Sequence, residues 1–219
     1  MPLKLRSVLF SAIEAVPKTP RWAYSFSERS KALGNYIYRN FSAPDLDQIN
    51  PSRVTVWLHH SLREQAYECN GLLMAEIPEH PDAARLSTAK DFKPDEFYPM
   101  LVELLDKSLI KIEERFTIPR SRVLVTAQDF IDGGYRNNWT MASRSPRGLG
   151  LEGKLEAELT HDYSELTFVL LTGQTEIHRE QVYRSKPDEL HWYRNGFQKL
   201  YFDDRKFWIA STTGWSYKI

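Results

Sequence analysis

The chain has 219 residues, with 29 basic and 29 acidic side chains, one cysteine and six tryptophans. Balanced charge excludes a global field that would draw the molecule onto DNA or an anionic membrane, so any nucleic-acid contact must come from a local patch. The lone Cys69 excludes an intramolecular disulfide, a thiolate zinc cluster and iron–sulfur ligation, and no apolar run approaches the roughly 20 residues of a bilayer span.

Within these bounds the expectation is a soluble, cytoplasmic protein with no membrane partner. It is read as one domain over 1–219, helix-rich over 1–118 and sheet-rich over 119–219. The start, Met1 to Pro20, is read as structural, not as a cleaved leader, because Ser11 and Glu14 interrupt the apolar stretch Val8-Leu9-Phe10.

In chain order, Ser25 or Ser27 caps a helix that begins near Glu28 and ends at Phe41, with Leu33, Tyr36, Ile37 and Phe41 on one stripe. Gly34 weakens it. Arg53 to Leu58 alternates apolar and polar residues as a strand does. The next stretch is ambiguous. Leu62, Ala66, Cys69 and Leu73 fit a short helix, while Asn70-Gly71 equally suits a hairpin turn. The helix is preferred here because Arg63, Glu64 and Glu68 would crowd a strand. Pro78 to Pro94 is a long polar connection. A helix then starts at Pro94, has acids Asp95 and Glu96 in its first turn, buries Leu101, Leu104, Leu105, Leu109, Ile112 and Phe116, and stops before Pro119. Arg122 to Ala127 reads as a short buried strand. Asp132-Gly133-Gly134 turns into a long basic loop, Arg136 to Gly153, which carries Arg144 and Arg147.

From Lys154 the hydrophobic period becomes two. If the turns at His161–Ser164 and Gly173-Gln174 are tight hairpins, Glu158, Val169 and His178 share one cross-strand row. Glu156, Leu171 and Glu176 share the next, and Glu180 joins their face. Asn195-Gly196 is the strongest hairpin signal of the chain, and Asp203-Asp204 and Thr213-Gly214 mark further turns. The same bookkeeping puts Trp192, Lys199 and Trp208 in one row, with Arg194, Tyr201, Trp215 and Tyr217 on their face. Leu200, Phe202, Phe207 and Ile209 then lie opposite. The expected class is α+β, with N-terminal helices packed on a C-terminal antiparallel meander of about six strands.

Four groups of residues carry chemistry. Aromatic rings beside cations stack bases and hold phosphate, which singles out Trp192, Lys199 and Trp208 with Arg144 and Arg147 on the basic loop. The competing reading is that the tryptophans cover the long helix and the lysine snorkels. The carboxylate and histidine face, Glu156, Glu158, Glu176, His178 and Glu180, offers metal ligands, although a solvated sheet face accounts for it better. Glu152 and Lys154, with Asp129 or Asp132, follow the loose pattern of a metal-dependent nuclease. Gly148 to Lys154 has the composition of a phosphate-cradling loop but lacks its Gly-Lys-Ser/Thr ending.

The favoured expectation is a binding or accessory protein that engages single-stranded nucleic acid or a nucleotide, with no cofactor and no metal. The alternatives are a metal-dependent nuclease or hydrolase, and a subunit of a larger assembly whose aromatic face is a protein interface.

Overall fold

The computed structural model describes residues 7–12, 21–41, 53–59, 63–187, 199–210 and 216–218. The chain divides into two compact units, Met1–Tyr135 and Arg136–Ile219. The class is α+β, and among the described residues there are four helices and three sheets.

The first unit is built on a mixed sheet that the sequence reading did not foresee as a whole. Strands β1 (Ser7–Ala12), β2 (Arg53–Leu58), β3 (Tyr67–Cys69) and β4 (Leu72–Ile77) lie in the order β1-β2-β4-β3. β1, β2 and β4 are parallel, and β3 returns antiparallel on β4. A parallel pair needs a crossover, which α1 (Arg21–Asn40) helps supply between β1 and β2. This helix buries Phe26, Leu33 and Ile37. Gly34 is explained by contact, because a Cβ there would collide with the Val8 carbonyl oxygen of β1. The glycine that weakens the helix locally lets it lie close against the strand.

Two expectations in this unit are corrected. The helix expected through Ala66, Cys69 and Leu73 is replaced by the β3–β4 hairpin over Tyr67–Ile77, and Leu62 lies outside the described residues. Asn70 and Gly71 both have positive φ, 52° and 76°, as the tight primed turn requires. Burial also settles it, since Leu73 to Ile77 are all buried, which no surface helix face allows. Arg122–Ala127 is not a strand but part of α4 (Arg120–Asp132), whose buried Val123, Thr126, Ala127 and Phe130 follow helical spacing. The run Val-Leu-Val-Thr resembles a strand by composition, yet Val125 is 61 % exposed, so alternation fails there. The connection over 78–94 contains a short helix, α2 (Ala83–Thr88).

The helix predicted from Pro94 is present as α3 (Pro94–Glu113), with Leu101, Leu104, Leu105, Leu109 and Ile112 buried. It packs on β4 and α4. Tyr98, fully buried, is wedged among aromatic rings, edge-on to Phe130 at 4.8 Å and stacked on Tyr135 at 5.2 Å.

The second unit has strands and no helix among its described residues. β5 (Asn138–Arg144), β6 (Leu151–Leu159), β7 (Ser164–Thr172) and β8 (Thr175–Ser185) form an antiparallel meander. β9 (Leu200–Asp203), β10 (Lys206–Ala210) and β11 (Ser216–Lys218) form a second, three-stranded one. β9 packs against β5 and β6. The expected long loop over Arg136–Gly153 is mostly strand, and only residues 145–150 between β5 and β6 are irregular. There Gly148 and Gly150 take positive φ.

Alternation sets the faces as expected on β6 and β7. Gly153, Leu155, Ala157 and Leu159 point inward with Leu166 and Phe168. On the small sheet, Leu200, Phe207 and Ile209 are buried. Phe207 lies on the inner face of β6, its ring 5.3 Å from that of Phe168. Gly153 makes room for it, because a Cβ there would come within 2.6 Å of Phe207 Cε1. Glycine inside a strand often marks such a close approach.

Candidate functional site

Of the aromatic and cationic residues expected on one face, Tyr201 and Trp208 lie together on the outer side of the β9–β10 hairpin. Lys206 pairs with Asp203, so the turn is Asp204-Arg205 and not Asp203-Asp204. That moves the register by two residues and preserves every face. Trp208 therefore stands opposite Tyr201 and not Lys199. The two rings stack at 4.3 Å with an interplanar angle of 17°. Trp208 is half-buried, and Tyr201 keeps 37 % of its surface exposed.

By strand alternation Lys206 shares this face, two residues before Trp208, and Lys199 approaches it two residues before Tyr201. Both lysines are exposed, and neither makes an ion pair among the described residues. Trp192, Arg194 and the Asn195-Gly196 turn lie outside the described residues. Tyr217, expected on the Trp208 face, pairs instead with Ile209 and so lies on the opposite face, because the β10–β11 register pairs Trp208 with Lys218. Trp215 and the Thr213-Gly214 turn lie outside the described residues.

Arg144 is the last residue of β5, opposite Gly153, and Arg147 sits in the loop that follows. Both are exposed and make no ion pair among the described residues. The packing of β9 against β5 brings the strand that ends in Arg144 to the small sheet.

The outer face of the larger meander is different in kind, because its charges are paired. The β6–β7 turn is a four-residue loop, Thr160 to Tyr163, in which the Thr160 hydroxyl accepts the amides of Asp162 and Tyr163. Glu158 consequently pairs with Glu165, not Val169. On β8, bulges leave Ile177 and Val182 without partners in the ladder. The first bulge turns His178 to the opposite face, across from Leu170 and near Phe168. The expected row of Glu158, Val169 and His178 does not exist. Arg179 takes that place, 2.9 Å from Glu176 and 3.0 Å from Glu156. The hydrogen bonds it donates to Glu176 and Glu156 hold its guanidinium protonated well above the ordinary arginine range. Arg179 in turn holds the Glu176 carboxyl below its usual range.

Tyr163 donates to Glu158 at 2.9 Å. Burial first, then this bond and the Glu158 charge, push its phenol up to about 12. Among the described residues no group of three or more His, Cys, Asp or Glu is arranged to hold a metal ion.

The acids and the lysine of the nuclease pattern are divided between the two units. Asp129 and Asp132 lie near the end of α4 in the first, and Asp132 accepts a hydrogen bond from Gln128. Glu152 and Lys154 lie on β6 in the second and pair with each other at 3.6 Å. Cys69 is exposed at the β3–β4 turn.

The first unit holds a buried acid that sequence reasoning passed over. Glu76 of β4 is 7 % exposed. It accepts the Tyr67 hydroxyl at 2.9 Å and the Arg63 amide at 2.8 Å. The Tyr67 hydroxyl comes from the paired strand β3 and the Arg63 amide from the segment before it, long-range partners that no local period in Leu72–Ile77 announces. No protein-family model, curated protein or solved structure matches this chain.

Proposed function

We propose that this protein is a binding or accessory module that engages single-stranded nucleic acid or a nucleotide on the outer face of the β9–β11 sheet. The observation that supports this reading is the stack of Tyr201 on Trp208, held on a half-exposed sheet face and flanked by Lys199 and Lys206. Aromatic platforms on rigid strands accept any base through its π face, and neighbouring cations track the backbone. Arg144 and Arg147 add positive charge on the adjoining strand end and loop. The charged face of the larger sheet offers nothing comparable, because Arg179 there is already neutralised by Glu156 and Glu176.

Titration with short oligothymidylate tests the reading through tryptophan fluorescence. Wild type is expected to be quenched. Trp208→Ala is expected to weaken binding by about 1–3 kcal/mol, the value of one stacked base. Arg147→Gln is expected to lower the salt slope by about one phosphate contact. Absence of any fluorescence change with oligonucleotide, mono- or dinucleotide would refute the reading and leave the aromatic face as a protein interface.

A further inference from the structure

The two sheets of the second unit do not close completely on each other. Between them lies a cleft of about 470 Å³, walled by Leu149, Leu151, Phe168, Leu170, Phe202 and Phe207. Arg205 is the single charged side chain among its described lining residues. The cleft is on the inner side of the β9–β10 hairpin, away from the Tyr201–Trp208 face, so the inference is independent of the function proposed above.

The lining dictates what fits. Six of the seven walls can neither donate nor accept a hydrogen bond from their side chains, so the interior suits hydrocarbon. The volume falls in the range of about 300–1,000 Å³ typical of small-molecule sites. Arg205 is exposed and makes no ion pair among the described residues. The nearest acid in sequence, Asp204, has its backbone amide bonded to Asp203 Oδ1 at 2.9 Å. A guanidinium without a carboxylate partner at an apolar cleft is complementary to a planar anion, which it can bind with two parallel N–H bonds.

The backbone adds a second observation. Asp204 and Arg205 both occupy the left-handed region, with φ 47° and 61°. Primed hairpin turns usually put glycine or asparagine at such positions. Arginine there is strained, and strain of this kind clusters at ligand clamps. The turn places a long cation at the cleft where a glycine would have been easier to fold.

We propose that this cleft binds an amphipathic carboxylate of the fatty-acid class, with its hydrocarbon chain between the sheets and its carboxylate on Arg205. The test is calorimetric titration of the intact chain with monomeric dodecanoate, beside an uncharged alkyl glucoside of equal chain length. Wild type is expected to take up one equivalent of dodecanoate saturably. Arg205→Gln is expected to weaken dodecanoate at least tenfold while leaving the glucoside unchanged. Leu170→Trp, which fills the cleft, is expected to abolish both. Should that variant fail to fold, Arg205→Gln still decides the matter, since it changes one exposed turn residue. No saturable uptake by wild type, or equal affinity of Arg205→Gln for dodecanoate, would overturn the proposal.

Discussion

Replacing Gly153 with alanine isolates the contact that joins the two sheets of the second unit. A glycine inside a strand is normally a weakness of roughly 0.5–1 kcal/mol relative to alanine, so the bare expectation is a gain. Space reverses the sign. The added methyl would stand 2.6 Å from Phe207 Cε1, 2.8 Å from Phe207 Cδ1 and 3.0 Å from Phe168 Cε2. Real carbon contacts do not come that close, so Phe207 must withdraw. Phe207 is 4 % exposed and Phe168 fully buried, so Phe207 can yield only toward the cleft it lines, giving up its contact with β6. Overpacking of this kind costs about 1–3 kcal/mol. Urea unfolding should therefore show a lowered midpoint for Gly153→Ala. A second substitution, Phe207→Leu, removes the obstructing ring edge. The double variant should be less destabilised than the sum of the singles, with a coupling of about 0.5–3 kcal/mol, as for residues in direct contact. Strict additivity, or a stabilised Gly153→Ala, would show that Phe207 does not rest on β6.

Three further outcomes are expected. Leu105→Ala, at a fully buried position of α3, should lose about 2–5 kcal/mol, the usual range for a buried leucine; a change within error would mean that α3 is not the centre of its unit. Arg205→Gly should raise the urea midpoint, because relief of about 1–2 kcal/mol of left-handed strain exceeds the roughly 0.4–1 kcal/mol lost to a more flexible unfolded chain. Tyr163 should ionise near pH 12 in alkaline ultraviolet titration, after ordinary tyrosines, with Glu158→Gln bringing it back toward 10.0. Since its folded pKa is raised, the stability linked to the neutral phenol is complete below pH 10.0 and is lost as pH climbs to about 12. A Tyr163→Phe difference spectrum centred on the ordinary tyrosine range would contradict this.

What was legible in the sequence was whatever depended on local period. The stripe of α3 and the inward faces of β6, β7, β9 and β10 follow directly from spacing. What was not legible depended on turns and on pairing between distant residues. Asp204-Arg205 is not a customary primed-turn pair, so local signals place the turn one position early, at Asp203-Asp204, and hide the match of Tyr201 with Trp208. The Thr160 hydroxyl closes a longer loop than a tight hairpin, and the bulge at Ile177 reverses the face of His178. One extra residue exchanges the two sides of a strand, so the metal-ligand row dissolved into an ion-pair cluster around Arg179. The parallel sheet was hidden for a different reason. Parallel strands meet only across long crossovers, and no local signal in Ser7–Ala12 announces that its partner is Arg53–Leu58.

That long-range pairing also bears on how quickly each part of the chain can acquire its structure. Strands β6, β7 and β8 are joined by short turns and can zip from one hairpin to the next, while β1 must wait for α1 and β2 to be in place before a single ladder bond forms. Distant contacts carry the greater loop-closure penalty before they reward it. Pulsed hydrogen exchange during refolding should accordingly protect the amides of Leu166 and Phe168 before those of Val54 and Val56, so that the later part of the sequence is the earlier to order.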